Sequence, residues 1–545
     1  MRGASACKLL IGGVRVSLDA TEEEIIKKAK DKMKRVGLST ATLHFRLYKK
    51  SVDARKRDDI SFVCTVLAEG EPPKGGWRED RLSRADARVF RDEPIVPTYG
   101  TEKLGARPLV VGMGPAGLFA ALLLAQNGYA PILIDRGASV EERVRDVSVF
   151  REQGRLDTES NIQFGAGGAG TFSDGKLITR IHDPRCSFVL QTLHDFGAPE
   201  EILTQAKPHV GTDLLRRVVA SMLEEIQRFG GELRYRCRMD DFWKNVDGTL
   251  SVQTNQGTLA CGAMILAPGH SARDTYIKLL SKSFALEPKP ISVGVRAEHL
   301  QSDIDEALYG RFAGHPSLGH AEYSLSDTRT DRGVYTFCMC PGGEVVAAAS
   351  EDGGLVVNGM SDHARGGKNA NAAVAVSVRC EDIEPVDGSA VLGAIAFQRR
   401  LERAAFVAGG KDYYAPIMTM GDFLTGKRGS SPTRIQPSYR GGKVRESDFE
   451  SIFPRFVTDS LRYGLSSFGK KLAGYDVSDA VLTAAETRTS APLRILRDPD
   501  TMTAIGNDLI YPCGEGAGYA GGITSAAVDG VRTALALMER FSNRL

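Results

Sequence analysis

The residues best suited to chemistry are glycines at the spacing G-x-G-x-x-G, because residues 112–117 read GMGPAG. The first glycine, Gly112, permits a tight turn, the second, Gly114, lets the backbone approach a pyrophosphate, and the third, Gly117, lets a helix pack closely on the preceding strand. Asp135 follows at about the distance expected of a carboxylate that binds a ribose. These residues predict a site for a dinucleotide.

Two strands and a helix must position this turn. Residues 109–111 and 131–134 are short apolar runs of the kind found in buried parallel strands. Residues 118–127, rich in Ala and Leu, predict a helix whose N-terminal N–H groups and dipole favour a phosphate. Further predicted cofactor contacts beside these elements are Pro115, Ala116 and Arg136.

A second glycine-rich loop spans residues 161–176 and contains five glycines. Such a composition favours neither helix nor strand and suits a backbone that passes close to a ligand. The alternative is a flexible surface loop, but the interleaved Phe164 and Phe172 argue against full exposure. The predicted cofactor contacts in this loop are Gly167, Gly168 and Thr171.

Two later segments return to the same fold. Residues 261–267 predict a buried strand, which ends in the turn Ala267-Pro268-Gly269. Residues 513–523, CGEGAGYAGGI, form another glycine-rich turn between a predicted strand and a predicted helix, with an acid inside the turn. Because ligands bind at the carboxyl ends of the strands in open α/β sheets, these turns should lie beside the first one. The predicted contacts here are Gly269, Gly514, Glu515, Gly521, Gly522 and Ile523.

The candidates for catalysis are cysteines, an arginine and histidines near the glycine-rich motifs. Cys338 and Cys340 would share a face of an extended strand, with Cα atoms roughly 6.5 Å apart, near the upper limit for a disulfide. Structural thiols are therefore favoured there, and no metal site is predicted. Cys513 adjoins the last glycine turn, and Arg488 could bind a phosphate or an anionic substrate, with a structural salt bridge as the equal alternative. The histidines nearest the glycine motifs are His182, His270 and His363.

Composition and length bound the architecture. A chain of 545 residues is too long for one core, and a net charge of +2 argues against nucleic acid as the main partner. No apolar run approaches the roughly 20 residues of a membrane span, no signal peptide is expected, and nine scattered cysteines favour the reduced cytoplasm.

The predicted division is a small α/β domain with a linker (1–95), a discontinuous nucleotide-binding domain (96–284 and 479–545) and an inserted substrate domain (285–478). Residues 70–105 are interpreted as a linker or arm outside the core, and the small N-terminal domain as a docking or oligomerisation module.

The motifs together resemble the FAD-containing oxidoreductases with two dinucleotide-binding domains. More closely, nearly the whole chain resembles a family of bacterial FAD-dependent dehydrogenases with a small N-terminal domain. This resemblance rests on residues 161–176, 338–343, 486–495 and 513–523. It implies that the first glycine turn and Asp135 hold the ADP half of FAD and that the last turn binds the ribityl and pyrophosphate. Glu515 stands where the superfamily has Asp, and Pro268 where it has Thr.

The predicted fold is therefore α/β: a Rossmann-like FAD-binding domain of the glutathione-reductase-like superfamily, an inserted α+β domain and a ferredoxin-like N-terminal domain. The predicted function is an FAD-dependent dehydrogenase or reductase acting on an unidentified small molecule, with NAD(P)H open as electron donor. Two alternatives remain: a flavin monooxygenase, and a non-enzymatic flavoprotein that binds a protein partner through its N-terminal domain. The loop at 165–171 and the turn at 518–523 are expected to flank the isoalloxazine.

Overall fold

The N-terminal unit is a four-stranded antiparallel sheet covered by two helices. The computed structural model describes residues 7–72, 77–91 and 94–543. The elements of this unit are β1 (Cys7–Val16), α1 (Glu22–Arg35), β2 (Leu43–Asp53), β3 (Ser61–Gly70), α2 (Glu79–Arg84) and β4 (Ala87–Phe90). The strand order is β2-β3-β1-β4. Thr21 and Glu24 form the reciprocal capping box that starts α1, as the sequence predicts.

The segment interpreted as a linker contributes to the core of this unit. Helix α2 and strand β4 lie within residues 70–105, β4 pairs with β1, and Leu82 and Ala87 are buried. A helix of six residues and a strand of four are too short to show a clear hydrophobic period among prolines, glycines and charges, so the linker interpretation was wrong for residues 79–90. Part of the Pro- and Gly-rich run, residues 73–76, lies outside the described residues.

The nucleotide-binding unit is built on a parallel sheet. Its elements before the insertion are β5 (Leu109–Val111), α3 (Pro115–Gln126), β6 (Ile132–Ile134), α4 (Val140–Gln153), α5 (Arg185–Asp195), α6 (Thr212–Arg228), β7 (Glu232–Arg234), β8 (Met239–Lys244), β9 (Leu250–Thr254), β10 (Gly257–Cys261), β11 (Met264–Leu266) and α7 (Arg273–Ser281). Strands β8 to β10 form a separate three-stranded antiparallel sheet. Short 3₁₀ turns at Ala169–Phe172 and Glu200–Leu203 complete this part.

The inserted unit contains a seven-stranded mixed sheet. Its elements are β12 (Leu286–Pro288), β13 (Ile291–Leu300), α8 (Gln301–Tyr309), β14 (Ser326–Asp327), β15 (Val334–Cys340), β16 (Glu344–Ala347), β17 (Val357–Met360), β18 (Asn369–Val378), α9 (Ala390–Ala408), β19 (Ala415–Thr419), α10 (Met420–Thr425), β20 (Val444–Glu446), α11 (Arg455–Lys471) and β21 (Val481–Glu486). The strand order is β14-β15-β18-β13-β21-β19-β20. Strand β21 extends this sheet beyond the predicted boundary at residue 478.

The chain then returns to the nucleotide-binding unit with β22 (Leu493–Ile495), β23 (Ile510–Pro512) and α12 (Ile523–Arg540). Strand β23 pairs in parallel with β11, which gives the five-stranded order β23-β11-β5-β6-β7, and α12 packs along α3. The mixed α/β fold predicted from the sequence is thus confirmed. One buried core fills the nucleotide-binding unit, and a second is continuous through the N-terminal and inserted units. Among the described residues, no helix is long and apolar enough to cross a bilayer.

Candidate cofactor and substrate site

A cavity of about 550 Å³ lies between the parallel sheet and the inserted unit. Its volume falls within the range of roughly 300–1,000 Å³ that is usual for small-molecule and cofactor sites. The first glycine turn, the loop after α4, the turn before α12 and strand β15 all contribute to its wall. The three glycine-rich segments that the sequence analysis brings together therefore meet at one site.

The first glycine turn forms one end of the cavity wall. Gly112 has φ +102°, and a Cβ there would lie 2.1 Å from the carbonyl oxygen of Ala267. A Cβ on Gly117 would lie 1.9 Å from the carbonyl oxygen of Gly112, so this glycine serves helix packing behind the wall. At Gly114, by contrast, the nearest described atom to an added Cβ is 3.8 Å away. Helix α3 begins directly after Gly114, and no side chain among the described residues caps its N-terminus.

Asp135 and Arg136 line the same end of the cavity. The Asp135 carboxylate accepts hydrogen bonds from the N–H groups of Met113 and Gly137, each at 2.8 Å, which fixes the shape of the turn. Arg136 stacks on the ring of Phe164, 4.5 Å from its centroid, and forms ion pairs with Glu159 and Asp274. The guanidinium of Arg136 is thus held by protein carboxylates. Arg238, in the same wall, was missed because no motif surrounds it.

The loop at residues 161–176 is held from below by a buried arginine. Arg143 on α4 is fully buried and donates to the carbonyls of Asn161, Ile162 and Ala166 at 2.7–2.8 Å. Its guanidinium also lies over the ring of Phe172. The loop is therefore a fixed part of the wall, and the alternative of a flexible surface loop is wrong.

The predicted contacts of this loop differ in their placement. Gly168 lines the cavity. Gly167 donates its N–H to the carbonyl of Met113 at 2.8 Å, and the Thr171 side chain is buried, so both residues lie behind the wall. Two residues missed by sequence reasoning, Gln163 and Lys176, face the cavity from this loop.

The turn before α12 forms the opposite wall. Glu515, Gly521, Gly522 and Ile523 line the cavity, and an added Cβ on either glycine would meet no described protein atom within 4 Å. Helix α12 starts at this turn with no capping side chain in the described part of the chain. Burial raises the pKa of Glu515 to about 7. The two remaining predicted glycines differ in position. Gly269 lines the cavity, whereas Gly514 lies behind the wall and donates its N–H to the carboxylate of Asp529 at 2.8 Å.

The two candidate catalytic residues both border the cavity, but neither is poised to react. Cys513 is fully buried, its sulfur accepts a hydrogen bond from the Thr533 hydroxyl at 3.3 Å, and burial raises the pKa of its thiol. Arg488 donates to Glu402 from two of its nitrogens, which is the salt-bridge alternative left open above. Among the singled-out histidines, His270 lines the cavity, and burial lowers its pKa to about 4.

The inserted unit supplies the part of the wall that faces these glycine turns. Cys338 on β15 lines the cavity, together with Tyr323, Asn358 and Glu486. Behind them the fully buried Arg296 donates to Glu486 at 2.9 Å, to Asn358 at 2.7 Å and to the carbonyl of Cys338 at 2.9 Å. Sequence reasoning selected Cys338 but interpreted it as structural. It missed Arg296, which lies in a strand without any motif.

These features define an FAD-dependent flavoprotein, and comparisons with known proteins agree. Residues 290–489 match the family described as "FAD-dependent protein, C-terminal domain-like", and residues 11–69 match a domain of unknown function. An uncharacterized protein of Clostridium beijerinckii is 44% identical over 542 residues, which cover 97% of this chain and 98% of that protein. The chain belongs to the same family of FAD-dependent proteins, as the resemblance in its motifs predicts.

More distant similarities are also found. One subunit of the ferredoxin:CoB-CoM heterodisulfide reductase of Methanosarcina acetivorans is 27% identical over 129 residues, 23% of this chain and 16% of that protein. The crystal structure of CtdE in complex with FAD is similar at 11% identity and a TM-score of 0.33, over 80% of this chain and 87% of the other. A point mutant of the halogenase PltM in complex with FAD gives 11% identity and a TM-score of 0.37, over 80% and 71%.

The cavity fits the family's cofactor. Space that side chains would fill is left open at three glycines, Gly114, Gly521 and Gly522. Helices α3 and α12 begin at the cavity, and no side chain in the described part of the protein caps either N-terminus. Uncapped helix N-termini bind phosphate groups through backbone N–H groups and the helix dipole. FAD is therefore the cofactor of this protein, which is an oxidoreductase in the general sense.

Proposed function

We propose that this protein is an FAD-dependent dehydrogenase or reductase that acts on a small molecule. One observation carries the proposal: a single cavity joins the nucleotide-binding turns to side chains of the inserted unit. Bound FAD supplies hydride or electron transfer, while the protein binds, orients and shields the reactants. The inserted unit would then hold the substrate against the cofactor.

The geometry supports a specific division of the cofactor site. Gly112, Gly114 and the start of α3 would hold the pyrophosphate, and Asp135 the adenosine ribose. The turn from Gly521 to Ile523 and the loop around Gly168 would flank the isoalloxazine. The uncapped N-terminus of α12 would stabilise negative charge on the reduced ring. Gly117, Gly167, Thr171 and Gly514 would support these contacts from behind the wall.

Glu515 is the group of this site best suited to hold a proton. Its pKa of about 7 means that the carboxyl is partly protonated near neutral pH, so it can donate a hydrogen bond or accept one. His270, with its lowered pKa, stays neutral and accepts or donates through its two ring nitrogens.

The N-terminal unit supports the finer part of the fold prediction. Its β-α-β-β-α-β element order and its strand order β2-β3-β1-β4 are those expected of a ferredoxin-like module. We propose docking as its role. It contacts both other units. The N–H of Lys50 donates to the carbonyl of Thr204 in the nucleotide-binding unit at 2.7 Å, and Arg57 donates to the carbonyl of Glu306 in the inserted unit at 2.7 Å.

We also propose a cytoplasmic location, since eight cysteines of the described chain are free thiols.

The decisive experiment is an anaerobic titration of the purified protein, followed by its visible spectrum. Bleaching of a flavin spectrum by NADH or NADPH would establish a nucleotide-linked reductase. A flavin that neither nucleotide bleaches would assign the electrons to the substrate or to a protein carrier. Substrate-dependent oxygen consumption would instead support monooxygenation. A colourless protein that FAD cannot reconstitute would overturn the proposal.

A further inference from the structure

Cys338 occupies an unusual backbone position in the cavity wall. Strand β15 pairs with β18 up to Phe337, and the pairing resumes at Cys340 after a register shift. Cys338 has φ +46°, in the left-handed region that residues other than glycine rarely adopt. The alternation of an ideal strand, which the sequence analysis assumed, is therefore broken. Cys338 is half-buried and faces the cavity, whereas Cys340 behind it is fully buried.

The charges around Cys338 favour a thiolate. Arg296 lies beneath it, fully buried, and Lys176 lines the same cavity. The Cys340 thiol donates a hydrogen bond to the backbone carbonyl of Cys338 at 3.4 Å. The neighbouring Cys340 side chain, Arg296 and Lys176 lower the pKa of the Cys338 thiol, against burial and the negative charge of Asp174. The pKa of the Cys340 thiol is raised, because of its interaction with the neighbouring Cys338 side chain and because of burial. Cys340, whose thiol donates to the Cys338 carbonyl, is therefore the partner that keeps its proton.

The other cysteines provide an internal comparison. Burial raises the pKa of the thiol at each of six further positions in the described chain: Cys64, Cys186, Cys237, Cys261, Cys380 and Cys513. Reactive cysteines lie in electropositive, partly exposed surroundings, and buried structural ones are inert. Cys338 meets the first description.

We propose that Cys338 is a nucleophilic thiolate at the substrate end of the cavity, that Cys340 is its partner thiol, and that the pair reacts with the disulfide of a small molecule. This inference deepens the proposed function of the same cavity and rests on it for the substrate-binding role of the inserted unit. It reverses the sequence-based interpretation of the two cysteines as structural thiols.

The exchange balances in two steps. The Cys338 thiolate attacks one sulfur of R–S–S–R, so that a Cys338–S–S–R bond forms, the substrate S–S bond breaks and RS⁻ leaves. Cys340 gives its proton to this RS⁻ and attacks the Cys338 sulfur, which releases the second RS⁻ and forms a Cys338–Cys340 disulfide. The two protein thiols are oxidised by two electrons, and the substrate is reduced to two thiols. A disulfide between residues two apart is strained, and strained disulfides are readily reduced again.

The first test uses the wild-type protein with its flavin and needs no variant. The protein is treated with limiting iodoacetamide at about pH 6.5, and the labelled peptides are quantified by mass spectrometry. We expect Cys338 to be alkylated at least about tenfold faster than Cys380, a half-buried cysteine outside the cavity, because only the thiolate reacts. Equal labelling of Cys338 and Cys380 would overturn the proposal.

The second test uses bis(2-hydroxyethyl) disulfide as the probe on the wild type, Cys338→Ser, Cys340→Ser and the control Cys380→Ser. We expect the wild type and Cys380→Ser to release two thiols per chain and to form the internal disulfide. Cys340→Ser should stop at a mixed disulfide on Cys338, and Cys338→Ser should release none. A Cys338→Ser variant that folds, shown by circular dichroism, and still releases two thiols would refute the assignment.

Flavin absorbance recorded on the same samples separates this inference from the proposed function. An unreactive Cys338 beside a flavin that is reduced normally would reject the thiolate and keep the oxidoreductase. A reactive Cys338 in a protein that takes up no FAD would keep the thiolate and reject the FAD-dependent oxidoreductase.

Discussion

The guanidinium of Arg488 and the carboxylate of Glu402 are joined by two hydrogen bonds, from Nε at 3.0 Å and from Nη2 at 2.9 Å. Arg273 binds the same carboxylate from its other side, at 2.6 and 2.9 Å. All three side chains are buried, and they come from α9, α7 and the segment after β21. This ion-pair cluster ties the inserted unit to the nucleotide-binding unit directly behind the cavity.

Removing the shared carboxylate should destabilise the protein strongly. Glu402→Ala leaves the buried guanidinium of Arg488 without its carboxylate partner and Arg273 with Glu351 at 2.8 Å. Breaking a buried pair in this way costs about 3–5 kcal/mol. Urea unfolding monitored by circular dichroism measures the loss. Glu224→Ala, at an exposed position on α6, is the matched control and should change the stability by less than about 0.5 kcal/mol. Equal stability of the two variants would contradict a structural role for this cluster.

The raised pKa of Glu515 predicts the opposite pH dependence from an ordinary ion-paired acid. In the flavin-free protein the folded state keeps a proton on Glu515 up to about pH 7, whereas the unfolded chain loses it near the ordinary pKa of 4.5. The folded state therefore binds more protons across this window, and the contribution of Glu515 to stability falls as the pH rises through it.

We expect Glu515→Gln to remove this contribution. Thermal unfolding of the flavin-free wild type and variant, scanned from about pH 5 to pH 8, should show a gain for the variant that grows with pH. Glu224→Gln should run parallel to the wild type. A Glu515→Gln curve parallel to the wild type would mean that the carboxyl is not desolvated.

An added side chain at Gly521 should block the cofactor without disturbing the fold. A Cβ there meets no described protein atom within 4 Å and would project into the cavity. Gly521→Leu should lower the FAD content or affinity by at least about tenfold, which corresponds to roughly 1.4 kcal/mol. The control is Gly366→Leu, because Gly366 is an exposed glycine that is equally unobstructed but lies away from the cavity. Unchanged flavin absorbance in Gly521→Leu would show that the turn does not face the isoalloxazine.

Arg143 should be required for an ordered glycine loop. Arg143→Lys keeps the charge but cannot supply the planar fork that reaches the carbonyls of Asn161, Ile162 and Ala166. Each buried carbonyl left unpaired costs about 1–3 kcal/mol. Hydrogen exchange should therefore accelerate in residues 161–172 of the variant and stay unchanged in the N-terminal sheet. Arg145→Lys, at a position on the same helix, is the control.

The sequence was most informative where a local constraint acts. Gly112 needs a left-handed backbone and Gly117 a close approach, so their spacing alone indicates the turn, and the adjoining strands and helix follow from apolar runs. The opposite wall could not be predicted in this way. Cys338, Arg296 and Glu486 come together only because the sheet order β15-β18-β13-β21 places strands from distant parts of the chain side by side. No local pattern encodes that order.

The order of the strands also has a consequence for biosynthesis. Strand β23 and helix α12 follow the whole insertion in the chain, yet β23 completes the parallel sheet beside β11, and the turn between β23 and α12 forms a wall of the cavity. A nascent chain emerges from its N-terminal side, and its domains fold as they appear. The partner of the first glycine turn therefore leaves the ribosome only after the inserted unit has been translated. Loading of the complete site with FAD therefore follows translation of the turn between β23 and α12.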